Sequence, residues 1–131
     1  MIARTASCSC GQLTAVAAED PIRVSICHCL ACQRRTGSVF GAQARFPRRS
    51  VTTSGKSKAF VRIGDSGKEA TFHFCPDCGS TVYYMLEGQE DVYAIPVGAF
   101  ADPQFPSPTR SVYEARIHSW VGVPRDIEHL E

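Results

Sequence analysis

Hydrophobic and polar residues alternate with a period of two along much of the chain, and this alternation predicts β-strands. The clearest case is residues 22–27, where Ile22, Val24 and Ile26 are expected to face the core after a turn at Asp20-Pro21. Further strands are predicted at residues 13–17, 38–46, 58–63, 69–74, 81–86, 92–97 and 111–115. The pattern therefore predicts a mostly antiparallel β protein.

Helical structure is expected in one short segment only. Residues 30–36 are predicted to form one or two helical turns that end at Gly37 in the left-handed conformation. The segment Gly64-Asp65-Ser66-Gly67 is predicted to connect two strands as a hairpin, and the proline-rich residues 102–108 to form a loop. The expected fold class is mainly β with few short helical turns.

The length of the chain favours a single domain that spans residues 1–131. Apolar residues make up 44% and charged residues 21%, which is typical of a soluble globular protein. No apolar run of about 18 residues is present, so no membrane span is expected. Residues 1–5 lack the charged-then-apolar pattern of a secretory signal, and we expect a cytoplasmic protein with reduced thiols.

Positive charge is concentrated in one part of the chain although the net charge is only +1. Between Arg23 and Arg62 there are nine lysine or arginine residues and no acidic residue. This segment is either a solvated basic face or a surface that attracts a small anionic substrate. Nucleic acid is a less favoured partner because the overall charge is close to neutral.

Three of the seven cysteines fall within six residues, in Cys27-His28-Cys29-Leu30-Ala31-Cys32. A Cys-x-Cys step is too tight for an easy disulfide. Alternation along a strand places Cys27 and Cys29 on one side and His28 on the other, and Cys32 can return over one turn. Three thiolates are then able to converge on one zinc ion and leave its fourth position open, which is the arrangement of a catalytic zinc.

The remaining four cysteines form two closely spaced pairs, in Cys8-Ser9-Cys10-Gly11 and Cys75-Pro76-Asp77-Cys78-Gly79. Two such pairs match the ligand set of a closed structural zinc site. A thiol-redox role for the Cys75–Cys78 motif is the alternative, but the second pair at Cys8 and Cys10 favours zinc. The sequence therefore predicts two zinc ions per chain.

The cysteine-containing motifs resemble those of the glutathione-dependent formaldehyde-activating enzyme family, also called Gfa-like or centromere-protein-V-like. The matching segments are Cys8-Ser9-Cys10-Gly11, then Cys27-His28-Cys29-Leu30-Ala31-Cys32-Gln33-Arg34-Arg35-Thr36-Gly37-Ser38-Val39-Phe40, and Phe74-Cys75-Pro76-Asp77-Cys78-Gly79-Ser80. The resemblance implies an Mss4-like antiparallel β fold stapled by a structural zinc at Cys8, Cys10, Cys75 and Cys78. It also implies a catalytic zinc at Cys27, Cys29 and Cys32.

The activity implied by the resemblance is that of a carbon–sulfur lyase, which condenses glutathione with formaldehyde to S-hydroxymethylglutathione. A glutathione sulfur suits the open position of a three-thiolate zinc, and Arg34 and Arg35 are candidates to bind a carboxylate of this thiol. His28 is a less favoured acid–base candidate, and His73 is a possible fourth ligand that would close the site. The alternative is a non-catalytic zinc-binding module that docks protein or nucleic acid.

Overall fold

The computed structural model describes residues 2–64 and 66–131, and strands dominate this part of the chain. The strands are β1 (Arg4–Ser7), β2 (Thr14–Ala17), β3 (Arg23–Cys27), β4 (Gly41–Pro47), β5 (Val51–Ser54), β6 (Lys58–Ile63), β7 (Glu69–Phe74), β8 (Thr81–Leu86), β9 (Val92–Pro96), β10 (Arg110–Val112) and β11 (Glu128–His129). The α-helix α1 is Leu30–Thr36, and short 3-10 turns cover Arg48–Ser50, Val97–Phe100 and Glu114–Arg116. The fold is mainly β, as the alternation predicted.

Two sheets contain these strands. The smaller sheet has the order β1-β2-β5, and the larger has the order β11-β10-β3-β4-β9-β8-β7-β6. Neighbours pair antiparallel except at β10, which runs parallel to both β3 and β11. In the described residues no helix is long and apolar enough to span a membrane.

The main core covers one face of the large sheet. Its fully buried members include Leu13 and Ala15 from the region of the small sheet and Phe46, Val82 and Ile95 from the large sheet. The opposite face of the large sheet carries a smaller cluster of buried residues, Ala70, Phe72, Tyr84 and Ala94. This second face also carries Cys27, and the candidate site lies there.

Most of the predicted elements are present. Strands β6, β7 and β8 have the predicted bounds, and α1 ends at Gly37, whose φ of 72° is left-handed. The predicted hairpin connection at 64–67 includes Asp65, which lies outside the described residues. Strands β1, β5 and β11 were not predicted, because they are short and carry little alternation.

One prediction about the core is wrong. Val24 and Ile26 are buried as expected, but Ile22 is 61% exposed. Strand β3 begins only at Arg23, so Ile22 lies at the rim of the sheet, where its amide donates to the Arg45 carbonyl. The pattern identified the correct face of the strand but not the point at which the core ends.

Candidate metal centres

Four cysteines from distant parts of the chain meet at one point. The Sγ atoms of Cys8, Cys10, Cys75 and Cys78 all lie within 4.8 Å of one another. The Cys8 and Cys10 sulfurs are 3.6 Å apart, and those of Cys10 and Cys75 are 3.7 Å apart. A tetrahedral zinc with Zn–S bonds of about 2.3 Å requires sulfurs about 3.8 Å apart, so this quartet fits zinc closely.

Tight turns aim backbone amides at the quartet. Gly11 and Gly79 have φ values of 87° and 83°, which bend the chain back after each cysteine pair. The Leu13 amide donates to the Cys8 sulfur at 3.3 Å, and the Asp77 amide donates to the Cys75 sulfur at 3.4 Å. Such amide donors stabilise the thiolate form that metal binding needs.

One supporting side chain, Gln12, was missed by the sequence analysis. Its Nε2 donates to the Cys75 sulfur at 3.0 Å and to the Lys56 carbonyl at 2.8 Å. Its Oε1 accepts from the Lys56 amide at 2.8 Å. Gln12 therefore connects the quartet to the chain between β5 and β6, and no motif signals this contact.

The other three cysteines meet where β3 ends and α1 begins. Cys27 is the last residue of β3, Cys29 is the N-cap of α1, and Cys32 lies in the first turn. The Cys32 amide donates to the Cys29 sulfur at 3.2 Å, which caps the helix. The three sulfurs lie within 4.8 Å of one another, and in the described residues no histidine or carboxylate joins this trio.

The ionisation of the trio favours a cation. The neighbouring Cys27 and Cys32 thiols lower the pKa of the Cys29 thiol well below its ordinary value. The contacts with Cys29 and Cys32 raise the pKa of the Cys27 thiol. Protons thus compensate the mutual repulsion of the sulfurs, and a divalent metal ion replaces protons in sites of this kind. Three convergent thiols and one vacant direction fit a zinc that keeps an open position.

A pocket of about 310 Å³ opens beside the trio. Its lining includes Cys27, Cys29, Gln43, Arg45, Arg62 and Tyr84. Burial raises the pKa of the Tyr84 phenol to about 12, so Tyr84 is a neutral hydrogen-bond donor at physiological pH. Of the basic residues here, Arg45 and Arg62 were not singled out from the sequence, because the sheet order brings them together over a long sequence distance.

The two arginines predicted to bind substrate have different surroundings. Arg35 packs its guanidinium over the rings of Phe72 and Tyr84, at 5.0 and 5.2 Å from their centroids. Its Nε is buried and has no hydrogen-bond partner. Arg34 is exposed on the outer side of the helix. Arg35 therefore lies against the rings of Phe72 and Tyr84 next to the trio, whereas Arg34 does not.

Neither histidine candidate reaches the trio. His28 is fully buried on the opposite side of the strand, as alternation predicted, and its Nε2 lies 2.9 Å from Ser111 Oγ. His73 stacks on the Tyr83 ring with centroids 4.6 Å apart, and its Nδ1 lies 3.3 Å from Ser57 Oγ. The alternative in which His73 closes the trio as a fourth ligand is not observed among the described residues.

Comparisons with known proteins agree with this architecture. The sequence model of the family described as glutathione-dependent formaldehyde-activating enzyme matches residues 3–116. A solved Rhodobacter sphaeroides protein superposes with a TM-score of 0.56 at 16% identity, over 97% of this chain and 99% of that chain. At this identity the likeness shows the fold alone. A comparison with curated proteins gives no significant match.

Proposed function

The chain belongs to the glutathione-dependent formaldehyde-activating enzyme family, and from that premise we propose that it is a zinc-dependent carbon–sulfur lyase. Its proposed substrate is the adduct of glutathione, or of another small thiol, with formaldehyde or a related small aldehyde. The observation that carries the proposal is the trio itself. Three sulfurs converge beside an arginine-lined pocket, with no fourth side-chain ligand among the described residues.

The proposal includes a division of the seven cysteines within one domain of residues 1–131. Cys8, Cys10, Cys75 and Cys78 hold a structural zinc, and Cys27, Cys29 and Cys32 hold the catalytic one. The near-tetrahedral sulfur spacing of the quartet and the open direction of the trio support this division.

The proposed reaction forms or breaks one carbon–sulfur bond. In the condensing direction the thiol sulfur adds to the carbonyl carbon, the π electrons of the carbonyl move to oxygen, and the proton of the thiol ends on that oxygen. Zinc held by the trio would supply a coordination position that stabilises the thiolate form of the substrate. The reverse direction releases the aldehyde and the thiol.

Residues of the chain bind and orient the reactants. Tyr84 keeps its proton and lies in the same pocket as Cys27 and Cys29, so we assign its hydroxyl to the aldehyde oxygen as a hydrogen-bond donor. Glutathione carries two carboxylates, and Arg35 beside the trio is assigned to one of them. Arg34 remains a proposed binding residue, and its exposure allows it to contribute long-range attraction only.

The rate of exchange between free formaldehyde and S-hydroxymethylglutathione tests the proposal. This rate is measured by NMR with ¹³C-labelled formaldehyde. The zinc-loaded protein is expected to accelerate this exchange. The Cys29→Ser variant is expected to lose one of two zinc ions and the acceleration while remaining folded, because serine is a favoured N-cap for α1. Zinc is measured by elemental analysis, and folding by circular dichroism.

Two results would contradict the lyase assignment. The first is a Cys29→Ser variant that still holds two zinc ions, and the second is a two-zinc protein that does not accelerate exchange. The second result would favour the alternative function, an interaction module in which both zinc ions are structural.

A further inference from the structure

The face of the large sheet that carries Cys27 continues into a polar groove. Three residue pairs across strands β3 and β4 share this face: Cys27–Gly41, Ser25–Gln43 and Arg23–Arg45. At about 3.3 Å per residue, Arg23 and Arg45 lie about 13 Å along the strands from Cys27. A second pocket of about 380 Å³ shares Gln43 and Arg45 with the pocket beside the trio. The groove therefore leads from the trio towards Arg45.

Hydrogen-bond donors in this groove lack acceptors. Arg45 Nε and both Nε and Nη1 of Arg62 are buried and have no hydrogen-bond partner. Among the ion pairs formed by described residues, none involves Arg45 or Arg62. A guanidinium remains charged in proteins, so it cannot relieve this situation by losing a proton. Buried donors of this kind are normally satisfied, and a bound anion is one way to satisfy them.

The surroundings of the groove keep it positive. Arg62 is held over the Phe72 ring at 4.8 Å from its centroid, so an aromatic ring and not a carboxylate positions its guanidinium. Burial, followed by the proximity of Arg45, lowers the pKa of Arg23. Three glutamates also border the groove: Glu69 and Glu87 at the trio pocket, where Glu87 Oε1 accepts the Glu69 amide at 2.8 Å, and Glu131 at the second pocket. The basic residues that line the two pockets outnumber them: Arg23, Arg45, Arg62, Lys68 and Arg110.

We propose that Arg45 and Arg62 form a carboxylate subsite that selects an anionic thiol as the cosubstrate. This inference rests on the proposed function, because the trio is taken to hold the sulfur of that thiol. The carboxylate binds between these two guanidinium groups, which line the trio pocket together. Arg45 and Arg62 are thus specificity-determining residues rather than catalytic ones.

The dimensions of the groove fit a short peptide thiol. A carboxylate one residue away from a cysteine lies within about 7 Å of its α-carbon, since each extended residue spans about 3.3–3.6 Å. Arg45 lies farther from Cys27 than this at its Cα, but Arg45 lines the same pocket as Cys27 and Cys29. Gln43 lies midway between them, is only 5% exposed, and has no partner for its Oε1. This carbonyl is available to accept an N–H of the peptide.

Binding of S-methylglutathione tests the subsite without requiring turnover, because this thioether cannot form the aldehyde adduct. Calorimetry on the two-zinc protein compares S-methylglutathione with its diethyl ester, which lacks both carboxylates. Arg45→Gln and Arg62→Gln are each expected to weaken binding of the acid about ten- to a hundredfold, as loss of a charge-assisted contact does. Binding of the ester is expected to change less than about twofold, since the ester has no carboxylate for either arginine to contact. Comparing the two ligands on the wild type and on each variant therefore isolates the carboxylate contact.

The matched control is Arg49→Gln, which removes an exposed arginine in the 3-10 turn after β4 whose one ion pair among the described residues is with Glu19 at 3.5 Å. It is expected to leave both affinities unchanged. Zinc content and the thermal midpoint, measured for each variant, establish that the fold persists. Equal losses for acid and ester, or no loss for the acid, would overturn the subsite.

The outcomes for the subsite and for the lyase are separable. Carboxylate-dependent binding without accelerated exchange would support the subsite as a ligand site and overturn the lyase assignment. Accelerated exchange that is equally fast with glutathione and its diethyl ester would support the lyase and overturn the subsite.

Discussion

Replacement of Gln12 by leucine is expected to weaken both the fold and the quartet, because one side chain connects the two. Gln12 makes two hydrogen bonds with the Lys56 backbone and one with the Cys75 sulfur. Leucine has a similar size but provides none of these contacts. The variant therefore tests hydrogen bonding at nearly constant volume.

The expected magnitude follows from the three lost contacts. Neutral hydrogen bonds contribute about 0.5–1.5 kcal/mol each, and one to a charged group about 1.5–3 kcal/mol. Because Gln12 is half-buried and the bonds to Lys56 are exposed, we take the lower part of this range, about 2–3 kcal/mol in the free energy of unfolding. Loss of a supporting contact at a metal ligand typically lowers metal affinity by about 10–100-fold.

Chelator competition for zinc and urea unfolding measure the two effects. Both measurements are made in a Cys29→Ser background. This substitution is expected to remove the zinc of the trio, so the measured zinc affinity is that of the quartet. The matched control is Gln33→Leu, which removes the contacts of Gln33 with the carbonyls of His28 and Arg116. This control is expected to lower stability but to leave quartet affinity unchanged. Equal zinc affinities for Gln12→Leu and its parent would refute the reasoning.

Two further predictions concern the backbone and pH. An alanine in the left-handed conformation costs about 1–2 kcal/mol. Gly55→Ala is expected to reduce the free energy of unfolding by more than this, because Gly55 has a φ of 99° and the new Cβ lies 1.9 Å from the Gln12 carbonyl oxygen. Gly67→Ala, with a φ of 83° and nothing within 4 Å, is expected to cost only that amount, as urea unfolding will measure. The Glu114 carboxylate raises the pKa of His129, so this pair stabilises the fold below the ordinary histidine pKa of 6.5 and the effect is lost as pH rises through the raised pKa. The difference in thermal midpoint between the wild type and His129→Gln is therefore expected to be larger at pH 6 than at pH 8, and an unchanged difference would contradict this.

The sequence predicted those strands and helices that are specified by their own residues, through regular alternation or a terminal glycine. The alternation in β6, β7 and β8 is regular, and the helix that ends at Gly37 has a terminal glycine in the expected conformation. The direction of His28 followed from strand alternation alone. Strands β1 and β5 were missed because their sequences carry little alternation, unlike the equally short β2, and their pairing with β2 contributes what the local pattern lacks.

The two cysteine clusters were predictable because the close spacing of their members in the chain already restricts their geometry. Arg45, Arg62 and Gln12 were not, because their roles depend on which strands become neighbours. Arg62 lies on the edge strand β6, which pairs with β7, and reaches the trio pocket only through the order of the large sheet. The order of the strands is not contained in one sequence, so the sequence analysis proposed only the arginines that follow Cys32, and Arg45 and Arg62 became candidates from the sheet order.

Anomalous diffraction on both sides of the zinc absorption edge, from crystals of the zinc-loaded protein with glutathione, tests the division of the cysteines most directly. Two zinc peaks are expected, one about 2.3 Å from the sulfurs of Cys8, Cys10, Cys75 and Cys78. The other is expected about 2.3 Å from the sulfurs of Cys27, Cys29 and Cys32, with a non-protein fourth ligand. A second zinc whose fourth ligand is a side chain of the protein, or a zinc peak at the quartet alone, would contradict it.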